Sequence, residues 1–218
     1  MRIVKNEIFY HIQKVQTWNI GQTIFTDYKN NHYFNYFNLY GHNYENEATG
    51  KAFASNFIAD KMLEYLKSGN KDKSLEPHFS YDSYETIELL NDIIRNYTRY
   101  LREFLFEEVR QEYFPNYPSR IRGIFVIPNK DSINYWKKTI GATNGVVFEI
   151  ELTGKIYEAN HSLIKLTTNS FNWIRQQAFR YWIGENVDDD IIKNECVFEG
   201  IVKITRIVSE DEYGIIFE

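Results

Sequence analysis

The sequence predicts an α+β fold. Three observations carry this: an aromatic strand near the start, two helices in succession after it, and then mostly short strands separated by short helices. The first strand is expected over residues 8–12, where Ile8, Phe9, Tyr10 and Ile12 surround His11. Trp18, Asn19, Ile20 and Gly21 turn the chain. Residues 30–42 are dense in Tyr, Phe and Asn without a clear period, and are read as an irregular segment packed on the core.

A first helix is expected over residues 49–67. Phe53, Phe57, Met62 and Tyr65 fall near one face, and Gly69 stands where a C-terminal cap glycine belongs. A polar loop follows. The second helix is long, residues 83–113. Asp82 and Glu85 have the spacing of a capping box. Tyr84, Ile87, Leu90, Ile94, Tyr97, Leu101, Phe104 and Val109 form one stripe at spacings of three to five, expected to carry core, and Pro115 and Pro118 stop the helix. At roughly 1.5 Å per residue the rod is about 45 Å long.

Strands are then expected at residues 120–127, 146–152 and 155–158, the last two separated by a turn at Thr153 and Gly154. A short helix is placed at 131–138 and another at 170–182, capped by Ser170 and ended by Gly184. Residues 195–208 read as a final strand with a bulge at Gly200, where the apolar alternation changes phase. The whole chain, 1–218, reads as one domain with a helical insert at about 49–113.

Composition removes several classes. The 218 residues can bury a sizeable core, and 43% hydrophobic with 25% charged is ordinary for a globular protein. No apolar run is long enough to cross a bilayer. The first residues lack the apolar segment of a secretory signal, and a single cysteine excludes an internal disulfide, so a cytoplasmic location is expected. A net charge of −5 argues against non-specific duplex binding, which needs clustered Lys and Arg. A local surface built from Arg120, Arg122, Lys137 and Lys138 is the one nucleic-acid reading to weigh. The 17 Tyr and 16 Phe accompany many Asn, Ile and Lys, which points to codon bias before stacking surfaces.

Motif tests are mostly negative. Dinucleotide and P-loop glycine patterns are missing, as is a nucleophile elbow. The five histidines form no pair at metal-binding helical spacing, so no metal is expected. Cys196, beside Val197 in a strand, reads as a small buried hydrophobe. Four places retain chemical interest. His11 lies in the first strand. Ser119 and Arg120 offer a hydroxyl and a guanidinium at a strand mouth, suited to a ribose or phosphate, with Arg122 on the same face. Tyr181 and Trp182 end a helix that packs on the last strand. Glu195 opens that strand, immediately before an apolar run, and Glu199 shares its face.

Taken in order, these pieces resemble the mono-ADP-ribosyltransferase-like superfamily. Tyr10, His11 and Ile12 with Trp18 and Gly21 are similar to the first-strand histidine segment. Pro118, Ser119, Arg120 and Ile121 are similar to the opening of the second core strand. Residues 146–152 with Lys155, Ile156 and Tyr157 resemble the middle hairpin, and Glu195, Cys196, Val197 and Phe198 the strand that begins with the catalytic glutamate. The resemblance implies a split pair of small antiparallel sheets holding NAD as substrate. It implies that Glu195 hydrogen-bonds the nicotinamide ribose and stabilises positive charge as the glycosidic bond breaks. It assigns NAD binding to His11, with Ser119, Arg120 and Tyr135 as further contacts. A Ser-Thr-Ser triplet is lacking, and the tyrosine pair has no clear counterpart beyond Tyr135. Two readings stay open: a NAD-dependent ADP-ribosyltransferase or NAD hydrolase with an acceptor such as a protein, and a non-catalytic module binding a nucleotide or a protein. The discriminating observation is whether His11 and Glu195 line one open cleft; burial of either against packed rings counts against catalysis.

Overall fold

A computed structural model of the chain describes residues 1–26, 29–35, 43–46, 51–73, 83–165, 170–187 and 190–214. Its elements are β1 (Arg2–Gln13), β2 (Thr23–Phe25), α1 (His32–Asn35), β3 (Asn43–Asn46), β4 (Lys51–Ala54), α2 (Ser55–Ser68), α3 (Ser83–Tyr113), β5 (Ile124–Val126), α4 (Ile133–Thr139), β6 (Val146–Asn160), α5 (Phe171–Trp182) and β7 (Asn194–Ile207). The fold class is α+β with antiparallel sheet pairing, as expected. The chain divides into two compact units, residues 1–31 with 102–218, and residues 32–101.

The larger unit is built on β6 and β7, which pair along almost their full lengths. The strand order is β1-β6-β7-β2, with β5 also on β7. A bridge between Tyr10 and Ile127 links the end of β5 to β1. The core on this sheet contains Val4, Phe9, Val126, Phe148, Ile150, Leu152, Ile156, Cys196, Phe198, Val202 and Ile204, all nearly or fully buried.

Several expectations are corrected. Residues 146–160 form one continuous strand, with no turn at Thr153 and Gly154 and no separate middle hairpin. Gly154 instead pairs directly with Gly200. A Cβ on Gly154 would run into the Glu199 carbonyl, and one on Gly200 into the Thr153 carbonyl. With φ of +157° and +146°, the two glycines let the long strands approach and bend there. The β6–β7 register shifts at Thr205, not at Gly200: Glu149 faces Arg206 while Ile150 faces Ile204. The extra Thr205 turns its hydroxyl to the Glu149 carbonyl at 2.8 Å.

The strand expected from Arg120 starts only at Ile124. Residues 119–123 are a turn, closed by Gly123 N–H donating to the Ser119 carbonyl at 2.7 Å. Arg120 and Arg122 therefore do not share a strand face: Arg120 is 3% exposed, while the Arg122 side chain is 46% exposed. Helix α2 begins at Ser55, six residues after the expected start, because residues 51–54 pair with β3. Its end is as expected: Gly69 adopts φ +73° and donates to the Tyr65 carbonyl. Helix α3 matches its expected span. Asp82, His42, His78 and part of the aromatic segment at 30–42 lie outside the described residues.

Candidate functional site

The turn at 119–123 places one arginine inside the larger unit. Asn31 pins the turn, donating from its side chain to the carbonyls of Arg120 and Gly123 at 2.7 and 2.8 Å. The Ser119 hydroxyl donates to Glu107 at 2.9 Å and accepts from the backbone N–H groups of Ile121 and Arg122. With its backbone so constrained, Arg120 points inward.

Four elements converge on its guanidinium. From α3, Glu103 accepts from Nε at 2.8 Å and from a terminal nitrogen at 3.3 Å. From β7, Glu195 Oε1 forms an ion pair with the other terminal nitrogen. From α5, the Tyr181 hydroxyl accepts from Arg120 and donates to Glu195 Oε1, both at 2.8 Å. The rings of Phe106, Phe125 and Tyr181 lie 4.9–5.7 Å from the guanidinium carbon. Arg102 adds a second cation to Glu103 at 2.6 Å. Two arginines thus face two glutamates. Glu103, Arg120, Tyr181 and Glu195 are each 5% exposed or less.

Electrostatics fixes the charge states. Burial alone would raise the pKa of Glu195, but the adjacent Arg120 outweighs it, with His161 acting in the same direction, and holds the carboxyl well below the usual range. Glu103 behaves likewise, lowered by Arg120 and Arg102 against its burial. Burial pushes the Tyr181 phenol up, so it remains a donor. Glu195 Oε2 faces His161 Nδ1 at 3.7 Å, beyond hydrogen-bond length. That nitrogen is buried and has no hydrogen-bond partner among the described residues. The His161 ring sits edge-on to Trp136, whose indole N–H donates to the Asn194 carbonyl at 3.2 Å.

A second polar cluster lies one turn along α3. Arg110 makes two bonds to Glu107 at 2.7 and 3.0 Å and two more to the carbonyls of Pro115 and Tyr117. Glu199 accepts from the Ser119 N–H at 3.1 Å and lies 3.7 Å from Arg122. Glu199 is therefore tied to the same turn as Glu195, one backbone step away.

The structure brings three of the five expected site residues together: Ser119, Arg120 and Glu195. All are buried, and each has a hydrogen-bond or ion-pair partner within the chain. His11 stands apart. It lies opposite Phe148 on β6, whereas Glu195 lies opposite Ala159. Its ring stacks on Trp18 at 4.3 Å, and its Nδ1 donates to the Phe125 carbonyl at 2.9 Å. Burial lowers its pKa to about 4, against the opposing effect of that hydrogen bond, so the ring is neutral near pH 7. Phe125 links the two places, its carbonyl on His11 and its ring against Arg120. Tyr135 packs edge-on against Trp136 at 5.4 Å beside another core cluster. Of the basic residues weighed for nucleic acid, Arg120 and Lys137 are buried.

A cleft of about 410 Å³ opens nearby, lined by Glu158, Ala159, Asn160, Gly184, Glu185, Asn186, Ile191 and Asn194. Neither His11 nor Glu195 lines it. Sequence reasoning missed Glu103 and His161. Glu103 had a usable signal: it precedes the buried pair Leu105 and Phe106 on α3, where a carboxylate needs a cation. His161 had none, since its proximity to Glu195 arises only from the pairing of β6 with β7.

Among the described residues, no helix is long and apolar enough to cross a membrane. No curated protein matches the chain. The family model described as a protein of unknown function, DUF2441, matches residues 9–210, and the chain belongs to that family.

Proposed function

We propose that the chain is a non-catalytic binding module of ADP-ribosyltransferase-like build, taking a nucleotide such as NAD or a protein partner, and that Glu195 serves its architecture. The observation that carries this reading is the Glu195–Arg120 pair. The residue assigned to catalysis and the residue assigned to ligand contact neutralise each other at 5% and 3% exposure. A catalytic carboxylate must reach the ribose of its substrate. Here Oε1 is shared between Arg120 and Tyr181, and moving it away would leave the arginine half-compensated in a low-dielectric site. His11, neutral and stacked on Trp18, offers no positive charge to a pyrophosphate.

One feature favours the second reading, a NAD-cleaving enzyme with Glu195 as its acid. Glu195 Oε2 takes no bond from Arg120 or Tyr181, is held ionised, and faces His161. A fixed carboxylate of that kind is what an oxocarbenium-like transition state requires.

The deciding experiment incubates the purified chain with NAD, measures nicotinamide release by chromatography, and measures binding by titration calorimetry. The binding reading expects no nicotinamide above the blank, in wild type and in Glu195→Gln alike. Release by wild type that disappears in a folded Glu195→Gln variant overturns it and establishes the enzymatic reading.

A further inference from the structure

The His161 imidazole stands against Glu195 without bonding to it. Its Nδ1 is buried and, among the described residues, has no hydrogen-bond partner. The atom it faces is Glu195 Oε2 at 3.7 Å, roughly 0.8 Å longer than an ordinary N–H···O bond. Glu195 cannot turn away without uncovering Arg120, because its other oxygen is held by that arginine and by the Tyr181 hydroxyl. Trp136 packs edge-on to the imidazole at 4.9 Å and limits its rotation. Arg120 also keeps the carboxylate charged. A lone pair on Nδ1 would therefore meet a negative oxygen in a buried place, whereas an N–H there would meet an acceptor. A neutral imidazole carries one proton, so a ring protonated on Nδ1 has its lone pair on Nε2. The side chain is 15% exposed, and with Nδ1 buried this exposure falls on the remainder, which carries Nε2.

We propose that His161 Nε2 is a ligand contact that accepts a hydrogen bond from a hydroxyl or amino group, and that Glu195 is the positioning residue that keeps this nitrogen unprotonated. The proposal deepens the binding reading and rests on it. The pair stands at the end of β6 and the start of β7, where the cleft opens. Asn160 and Asn194 pair with each other across these strands, line the cleft, and immediately precede His161 and Glu195. The chemistry of this end selects the ligand group. The described lining of the cleft includes the carboxylates of Glu158 and Glu185 and the amides of Asn160, Asn186 and Asn194, and no lysine or arginine. Carboxylates and an imidazole lone pair accept hydrogen bonds, which a hydroxyl or an amine donates; a phosphate would meet like charge. Glu195 thus acts through His161, and its pinned oxygen has no need to reach the ligand.

The test is the tautomer, access and reactivity of His161 in the full chain. Long-range proton–nitrogen NMR at about pH 8, above the ordinary histidine range, separates the two neutral tautomers. The His161 signals are those missing from His161→Gln. The expected result is a proton on Nδ1 and a bare Nε2. Ethanolamine, which carries both a hydroxyl and an amine, is then titrated to about 100 mM, a range suited to so small a probe. It should shift the Nε2 signal saturably, and inorganic phosphate should not. Access is read with diethyl pyrocarbonate and peptide mass spectrometry. The Nε2 lone pair attacks a carbonyl carbon of the reagent, an N–C bond forms, the anhydride C–O bond breaks, and ethyl carbonate leaves as ethanol and carbon dioxide. Wild type should be modified at His161, and Glu195→Gln about tenfold more slowly, since a neutral amide no longer fixes the tautomer. A proton on Nε2 overturns the proposal, as does a His161 that the reagent leaves unmodified in the folded chain. An Nε2 signal that ethanolamine leaves in place, or that phosphate shifts as much, overturns the ligand class. Equal modification rates in wild type and Glu195→Gln overturn the positioning role; if that variant does not fold, the wild-type tautomer decides it. None of these readouts uses NAD. A chain that fails to bind NAD but passes them loses NAD as its ligand and keeps His161 as its contact, and one that binds NAD with the proton on Nε2 does the reverse.

Discussion

The two halves of α3 read alike in sequence and end in opposite surroundings. In residues 102–113 the buried side chains include Glu103, Glu107 and Arg110 beside Leu105, Phe106 and Val109, while Phe104, a member of the apolar stripe, is 55% exposed. In residues 83–101 the stripe members Ile87, Ile94 and Tyr97 stand in solvent. One half buries charge and the other exposes hydrocarbon. The stripe expected to carry core does so only at Val109 among the residues just named. The difference teaches that helical periodicity finds a helix well but does not say which face the rest of the chain will cover. In the C-terminal half the covering face was chosen by Arg120, which needs Glu103, and by Trp182, whose indole N–H donates to the Phe106 carbonyl at 2.8 Å.

The sharpest way to break this comparison is to remove the arginine. Arg120→Met leaves Glu103 and Glu195 buried with their main counter-charge gone. The expected loss is about 3–5 kcal/mol of stability, measured by urea unfolding. A loss below about 1 kcal/mol would mean that the cluster is wetter and weaker than described.

Truncations on the two halves come next. Phe106, fully buried and packed edge-on to Tyr181, should cost about 3–5 kcal/mol as Phe106→Ala. Ile94→Ala should stay within about 0.5 kcal/mol of wild type. Equal costs at the two positions would erase the distinction between the halves.

Acid should destabilise the larger unit in two stages. His11 is neutral in the fold with a pKa lowered to about 4, while the unfolded chain takes up a proton near 6.5. The unfolded state therefore binds more protons between these values, and stability should decline as pH falls from about 6.5 towards 4. Glu103 and Glu195 have lowered pKa values, so their contribution is present above the unfolded carboxylate range and is lost below about 4.5. His11→Gln should remove the first decline and keep the second, as read from unfolding midpoints across pH. A His11→Gln variant with the wild-type pH profile would place the first titration elsewhere.

An effect between those of Phe106→Ala and Ile94→Ala is expected at Gly200, whose φ of +146° strains any side chain. Gly200→Ala should cost of order 1–3 kcal/mol in the larger unit, measured by urea unfolding.

Much of the fold was legible in advance for local reasons. The span of α3, the Gly69 cap, the Ser170 cap on α5 and the final strand follow from side-chain periodicity and from residues that satisfy helix ends. The misread places depend on partners distant in sequence. Thr153 and Gly154 look like a turn until Gly200 is laid against them. Residues 120–123 look like a strand until Asn31 bonds their carbonyls. The expected bulge at Gly200 moved to Thr205 because register is a property of two strands.

The candidate site divides the same way. The sequence by itself determined which residues are chemically unusual: an arginine after a proline-bounded helix, a glutamate at the mouth of an apolar strand, a tyrosine-tryptophan pair just before it. Only the tertiary structure decided that these meet one another. Their side chains come from α3, the turn before β5, α5 and β7, and Glu103 lies 92 residues from Glu195 along the chain. The physical reason is that a charge on an apolar surface reads identically whether it awaits a ligand or an internal partner. The partner is found only when distant segments are packed, and here each charge in the cluster finds its partner within the chain.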